Sequence, residues 1–192
     1  MTSNREIPMP SIQTSPPATE PVSLAEAKAH LRVTHNDDDA YITTLIKTAR
    51  QSVEAQTGLG LISQGWSVFL DDWPEHGVIE LPLAPVLDIA DIKVHGDDDT
   101  FAIIDPAHYY EDKVSRPARI ILRGQRSWVA PGRVANGIEI LLTIGFTSVP
   151  EPLREAILQL VGHWHESRGD DTGDEKPLGL GQLIQPYREL RV

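Results

Sequence analysis

Two runs of aspartate, a histidine-rich segment and a short His-Tyr-Tyr stretch are the residues whose types could do chemistry in this 192-residue chain. Asp37-Asp38-Asp39 and Asp97-Asp98-Asp99 offer hard oxygen ligands of the kind that hold calcium. The first run lacks the alternate spacing and central glycine of a calcium loop, and the second has no downstream bidentate glutamate. Helix capping and a turn account for them better. His163-Trp164-His165-Glu166 has the residue types of a zinc site. On a helix, however, positions two apart diverge by about 200 degrees, so His163 and His165 cannot converge on one ion. His163 with Glu166 makes at most a surface pair. His108, Tyr109 and Tyr110 have acid or base groups, and Tyr109, Tyr110 and Trp128 could line a ligand surface, yet aromatic residues in half-buried strands more often belong to a core. The chain has no G-x-S-x-G elbow, no G-x-x-x-x-G-K phosphate loop and no G-x-G-x-x-G dinucleotide motif. Gly58-Leu59-Gly60 reads as a helix terminator and Gly179-Leu180-Gly181 carries no phosphate signature. The expectation is a protein with no catalytic residues, no metal site and no cofactor.

Composition narrows the classes further. There is no cysteine, which removes disulfides, thiolate zinc sites, iron–sulfur clusters and cysteine nucleophiles. The formal charge is −11, and general nucleic-acid binding relies on lysine and arginine releasing phosphate counterions, so a duplex would be repelled rather than gripped. No apolar run approaches the ~18 residues a membrane helix needs, and the first residues lack the basic-then-apolar order of a signal peptide. The expectation is a soluble protein made in the cytoplasm, able to bury roughly 70% of its unfolded surface.

The elements that must position these residues follow from pattern. Residues 1–20 are rich in Pro, Ser and Thr and nearly free of large apolar side chains, which predicts a disordered arm. Ser23 and Glu26 form a capping-box pair opening a short helix over 24–32. Tyr41, Ile42, Leu45, Ile46, Ala49 and Val53 repeat at helical spacing over about 38–57, with Asn36 or Asp37 as cap and Gly58 as stop. Short β-type runs then follow at Trp66–Leu70, Val78–Leu81, Ile89–Val94, Phe101–Ile104, His108–Tyr110, Arg119–Leu122 and Ile138–Ile144, with a hairpin tip at 95–99. No helices separate them, so antiparallel pairing is expected. Pro152 sits in the first turn of a further helix whose stripe is Leu153, Ala156, Ile157, Leu160, Val161 and Trp164. The fold class expected is therefore α+β. A small helical bundle is built from both ends of the chain, an antiparallel β module is inserted in it, and a C-terminal docking tail follows. In residue terms the divisions are an arm over 1–20, helical core over 21–60, β module over 61–147, core helix over 148–168, and linker plus tail over 169–192. The apolar character of 178–192 beyond a polar linker predicts docking onto something outside the chain's own core.

In order along the chain, these features resemble the head-tail connector (adaptor) family of long-tailed phages, prophages and gene transfer agents. The resemblance rests on Pro21-Val22-Ser23-Leu24-Ala25-Glu26 through Val33, the acidic cap before Ala40-Tyr41-Ile42, and Ala49 through Gly58. It continues with Ile79-Glu80-Leu81-Pro82-Leu83-Ala84-Pro85-Val86, the strand into Gly145-Phe146, Val149 through Leu158, His163 through Arg168, and Leu183-Ile184-Gln185-Pro186-Tyr187-Arg188. It spans about residues 21 to 190, and 97–105 and 124–136 are its unmatched stretches.

What the resemblance implies is a structural role. Twelve copies form a homo-oligomeric ring under the portal protein of a filled capsid in the virion, extend the DNA channel, and present a surface to a downstream stopper or tail-completion protein. DNA passes without specific binding, and no membrane is involved. The family's portal-engaging C-terminal segment corresponds here to Leu183, Ile184, Pro186, Tyr187 and Arg188. The alternatives are another virion channel protein, namely a stopper or tail terminator, a small hydrolase-like enzyme using His108, Tyr109 or Tyr110, and an interaction module unrelated to virions.

Overall fold

A computed structural model describes residues 9–98, 100–123, 128–167, 177 and 179–188. The chain is α+β and divides into two compact units. One takes residues 1–17 and 63–145, the other 18–62 and 146–192. Each has a core of its own.

The first unit is all antiparallel. Its strands are β1 (Ser11–Ser15), β2 (Gln64–Leu70), β3 (Val78–Glu80), β4 (Val86–His95), β5 (Phe101–Ile103), β6 (Tyr109–Asp112), β7 (Arg119–Leu122) and β8 (Ile138–Ile144). Five of them form a sheet ordered β1-β2-β8-β4-β5, and β3-β7-β6 form a second. The alternation in β8 is the plainest in the chain: Ile138, Ile140, Leu142 and Ile144 are buried while Glu139, Leu141 and Thr143 lie on the other face. Val68, Ile92, Ile79, Ile120 and Tyr109 join them, so both sheets close over one core. The β4–β5 hairpin turns where the Gly-Asp run predicts: the Gly96 amide donates to the Thr100 carbonyl, and the Asp98 carboxylate accepts from the Thr100 amide and hydroxyl. Those bonds hold the Asp98 carboxyl below the ordinary carboxylate range.

Residues 11–15 correct the expectation of a disordered arm over 1–20. They pair with β2 in antiparallel register, Ser11 opposite Val68 and Gln13 opposite Trp66. Composition misled because an edge strand can be held by backbone bonds alone, with its side chains facing water. The first eight residues of that arm and most of the linker lie outside the described residues.

The second unit contains α1 (Leu24–Leu31), α2 (Asp39–Thr57), α3 (Glu151–Glu166) and α4 (Leu180–Ile184), the last running into a 3-10 turn over Gln185–Tyr187. The predicted capping box is present: the Ser23 hydroxyl accepts from the Glu26 amide, and the Glu26 carboxylate accepts from the Ser23 amide. Those bonds, led by the Ser23 side chain, hold Glu26 below its ordinary range. Gly58 ends α2 with φ 75°, a left-handed conformation that glycine adopts without cost. The acidic run before α2 behaves differently from expectation. Asp38 is the cap residue and makes no side-chain cap bond; its carboxylate lies 3.9 Å from His35 and 3.8 Å from His165, while the Lys28 ammonium of α1 donates to Asn36 Oδ1 at 2.7 Å and Asp39 Oδ1 at 2.6 Å. Apolar faces of all four helices meet in one cluster with Ile42, Ala49, Val53, Leu153, Ile157 and Val161 at its centre. Among the described residues no helix is long and apolar enough to cross a membrane.

Candidate functional site

Among the described residues, the chemistry-bearing side chains lie in separate places. His165 lies 3.8 Å from the Asp38 carboxylate at the start of α2, and the His163 carbonyl accepts from the Ser167 amide and hydroxyl at the end of α3. Tyr109 is buried in the β core, which raises its phenol above the usual range, while Tyr110 is exposed with the Arg123 guanidinium over its ring. Trp128 stacks on Trp73, ring centroids 4.2 Å apart, and Trp73 donates its indole N–H to the Val129 carbonyl. Among the described residues no group of three or more His, Asp or Glu side chains is placed to hold a metal. Asp112 is pulled well below the carboxylate range by Ser115 first and then Arg119, which tie the β6–β7 loop to itself. That is an Asx-type turn reinforced by an ion pair.

The C-terminal segment is where the sequence places interaction residues, and the structure gives it a definite geometry. Leu180 and Ile184 stand four apart on one face of α4, and both are buried in the helical core. Leu183 and Tyr187 are half-buried against the same core, whereas Gln182, Gln185, Pro186 and Arg188 are exposed. The Arg188 guanidinium donates to the Gln56 carbonyl at 3.3 Å, in the last turn of α2, where unpaired carbonyls and the negative end of the helix dipole favour a cation. A five-residue helix has no stability of its own in water, so this burial and this bond are what hold the segment in place. The described part of 178–192 thus packs on the chain's own helical core. Of the five residues named from sequence, Ile184 is buried, Leu183 and Tyr187 are half-buried against the core, and Pro186 and Arg188 are exposed. The i, i+4 apolar pair Leu180 and Ile184 was the available signal for inward packing.

Sequence reasoning missed the groups that fix the entry and exit of the chain at the helical unit. Arg50, 4% exposed, donates to Glu20 at 2.7 Å and to Glu54 at 2.6 Å. Glu54 in turn accepts from the Leu61 amide. Arg154 on α3 donates to the Pro21 carbonyl at 2.8 Å and pairs with Glu26. The segments before α1 and after α2 are thus both fastened by charge-assisted bonds.

Comparison with known proteins locates this architecture. Residues 21–95 match the family described as phage gp6-like head-tail connector protein. Among solved structures, a chain in the neck of an empty gene transfer agent particle, computed with C6 symmetry, is 24% identical; the match covers 96% of this chain and 97% of that one, with a TM-score of 0.81. A chain of the virion of a native gene transfer agent particle is 25% identical over 95% and 96% of the two chains, with a TM-score of 0.79. A chain in the neck of a native particle, computed with C12 symmetry, gives 24%, 96% of both chains and 0.77. No curated protein sequence matches. Residues 21–95 are thus similar to phage gp6-like head-tail connector proteins, and the chain shares its fold along nearly its whole length with chains of gene transfer agent particles.

Proposed function

We propose that this chain is a structural head-tail connector of a phage or phage-like particle. It forms a ring beneath the portal, extends the DNA channel, and joins the capsid to the tail within the virion. The observation that carries the reading is the coincidence of a connector-family match over 21–95 with the fold of gene transfer agent neck and virion chains across nearly the full length. The role is assembly, in keeping with the similarity of residues 21–95 to head-tail connector proteins. A copy number of twelve accords with the C12 symmetry of one of those necks. The ring's partners are the portal on one side and a stopper or tail-completion protein on the other.

The portal-facing element is the C-terminal segment at Leu183, Pro186, Tyr187 and Arg188, with Ile184 serving as its buried anchor. Support comes from the resemblance of this motif to the portal-engaging segment of head-tail connectors and from its geometry, in which Pro186 and Arg188 are exposed and Leu183 and Tyr187 are half-buried at the edge of the helical core. A closed ring repeats one heterologous contact until the rotation completes, so the portal supplies a template and the chain supplies identical neighbours. Electron microscopy of the full chain mixed with the portal ring of its own particle tests the reading. The expected result is a ring of matching symmetry on the portal's outer end. In the double variant Tyr187→Ala, Arg188→Ala, with helical content unchanged by circular dichroism, portal affinity should fall at least tenfold. A wild-type chain that remains monomeric and ignores the portal would overturn the proposal.

A further inference from the structure

The five-stranded sheet ends in two strands whose outer edges are unpaired among the described residues, β1 at one side and β5 at the other. Backbone bonding identifies what those edges present. The Gly96 amide donates to the Thr100 carbonyl and the Ile104 amide to the Ile92 carbonyl, so residues 100, 102 and 104 bond inward to β4. Phe101 and Ile103 therefore turn their N–H and C=O groups outward. On the other edge the Phe69 amide donates to the Pro10 carbonyl, which makes residues 10 and 12 the inward-bonding ones and leaves Ser11 and Gln13 pointing out.

Cross-strand register then places the side chains. Ile12 lies opposite Ser67, and Ser67 opposite Leu141; Ile103 lies opposite Lys93, and Lys93 opposite Glu139. Directly opposed residues share a face, and Glu139 and Leu141 are two apart on β8, so Ile12, Ile103 and Phe101 all stand on the same outer face of the sheet. They are 61%, 55% and 53% exposed. Exposed edges in soluble proteins are ordinarily blunted by lysine, proline or a covering element. Neither Ser11-Ile12-Gln13-Thr14-Ser15 nor Phe101-Ala102-Ile103 carries a charge or a proline.

We propose that these two edges are the two halves of the subunit contact in the ring, β5 of one copy pairing with β1 of the next. The occupant of each edge is a second copy of this chain. The two edges are different surfaces at opposite ends of one sheet, which is the heterologous arrangement a cyclic ring requires and an isologous dimer does not. Pairing satisfies the outward backbone groups of Ser11, Gln13, Phe101 and Ile103. It also brings Ile12 of one copy beside Phe101 and Ile103 of its neighbour on a common face, covering three exposed apolar side chains at once. The inference rests on the connector reading for the existence of a ring, and adds which strands close it.

The absence of cysteine makes the test clean. Full-length chains carrying Ile12→Cys, Ile103→Cys or both are assembled with the portal ring and treated with a short bis-maleimide. The double variant should give a ladder of cross-linked multimers, and each single variant should remain uncross-linked because the contact joins unlike edges. A second variant, Ile103→Pro, removes an outward N–H and the exposed isoleucine side chain while leaving the bonds of β5 to β4 in place. It should keep the far-ultraviolet spectrum and unfolding midpoint of the parent while reducing ring formation at least tenfold. Rings visible by electron microscopy whose double variant gives no ladder would overturn the edge contact and leave the connector reading standing. A ladder from either single variant would overturn it in favour of a like-with-like contact. Failure of the parent chain to form any ring would overturn both.

Discussion

Arg50 puts a guanidinium inside the helical unit and answers it with two carboxylates, Glu20 and Glu54, both within 2.7 Å. Its N–H groups converge on acceptors from two separate segments, so the side chain fixes the path of the chain into α1 relative to α2. Removing one partner of a buried pair strands the others with no compensation, at a cost of about 3–5 kcal/mol, the lower end applying where the remaining charges reach water. Glu20 and Glu54 are partly exposed, so Arg50→Ala should destabilise the helical unit by about 3 kcal/mol. Amide exchange in α2 and α3 should accelerate accordingly in native-state exchange experiments. The same measurement on β8, whose core contains none of these residues, should show no change, and equal acceleration there would contradict an effect confined to one unit. The capping box at Ser23 and Glu26 was legible in the sequence because its two members are three residues apart. The Arg50 network was not, because a buried arginine at a helical-stripe position looks like any polar residue on a helix until its partners arrive from residue 20.

At the scale of elements, α4 and β1 teach opposite lessons about apolar pattern. α4 has five residues and would not persist alone, so its order derives from Leu180 and Ile184 seated in the helical core. Ile184→Ala should cost about 2–4 kcal/mol at that site. Because the segment docks on a core already closed by α2 and α3, the loss should appear as local opening: amide protection over 183–187 falls while that of α3 is retained. Equal loss across α3 would mean the segment is integral to the unit rather than seated upon it. β1, by contrast, contributes almost no apolar burial and is held by its ladder with β2. A rule that equates structure with apolar periodicity overlooks such a strand. Of the interior strands, β7 and β8 were legible at their full length and β2 and β4 in part, because burial on one face imposes the alternation that marks them.

For the whole molecule, the formal charge of −11 is spread over a helix entry at 37–39, a hairpin turn at 97–98 and many single carboxylates, several of them engaged locally. No single acidic patch follows from that distribution, and a protein of this charge set around a DNA path should not retain the duplex. Fluorescence anisotropy of a short labelled duplex titrated with the chain at low salt should show no saturable binding, the condition in which electrostatic attraction would be strongest. Saturable binding that weakens with salt would instead mark a phosphate-gripping surface and would argue against a passive channel. Division into two units, each with its own core, also places the two proposed contacts apart: the strands proposed to close the ring belong to one unit, and the segment proposed to face the portal belongs to the other.

Sequence alone determined the α+β class, the three longer helices, most strands, the hairpin turn and the connector resemblance, since each depends on contacts between near neighbours or on an ordered series of such local marks. Only the tertiary structure decided that residues 11–15 form an edge strand, that the sheet runs β1-β2-β8-β4-β5, that Ile184 points inward, and that Arg50 is buried between two carboxylates. Several of those contacts join residues far apart, Arg50 with Glu20 across 30 positions and Arg188 with Gln56 across 132, and local propensity carries no information about which distant partner completes a bond.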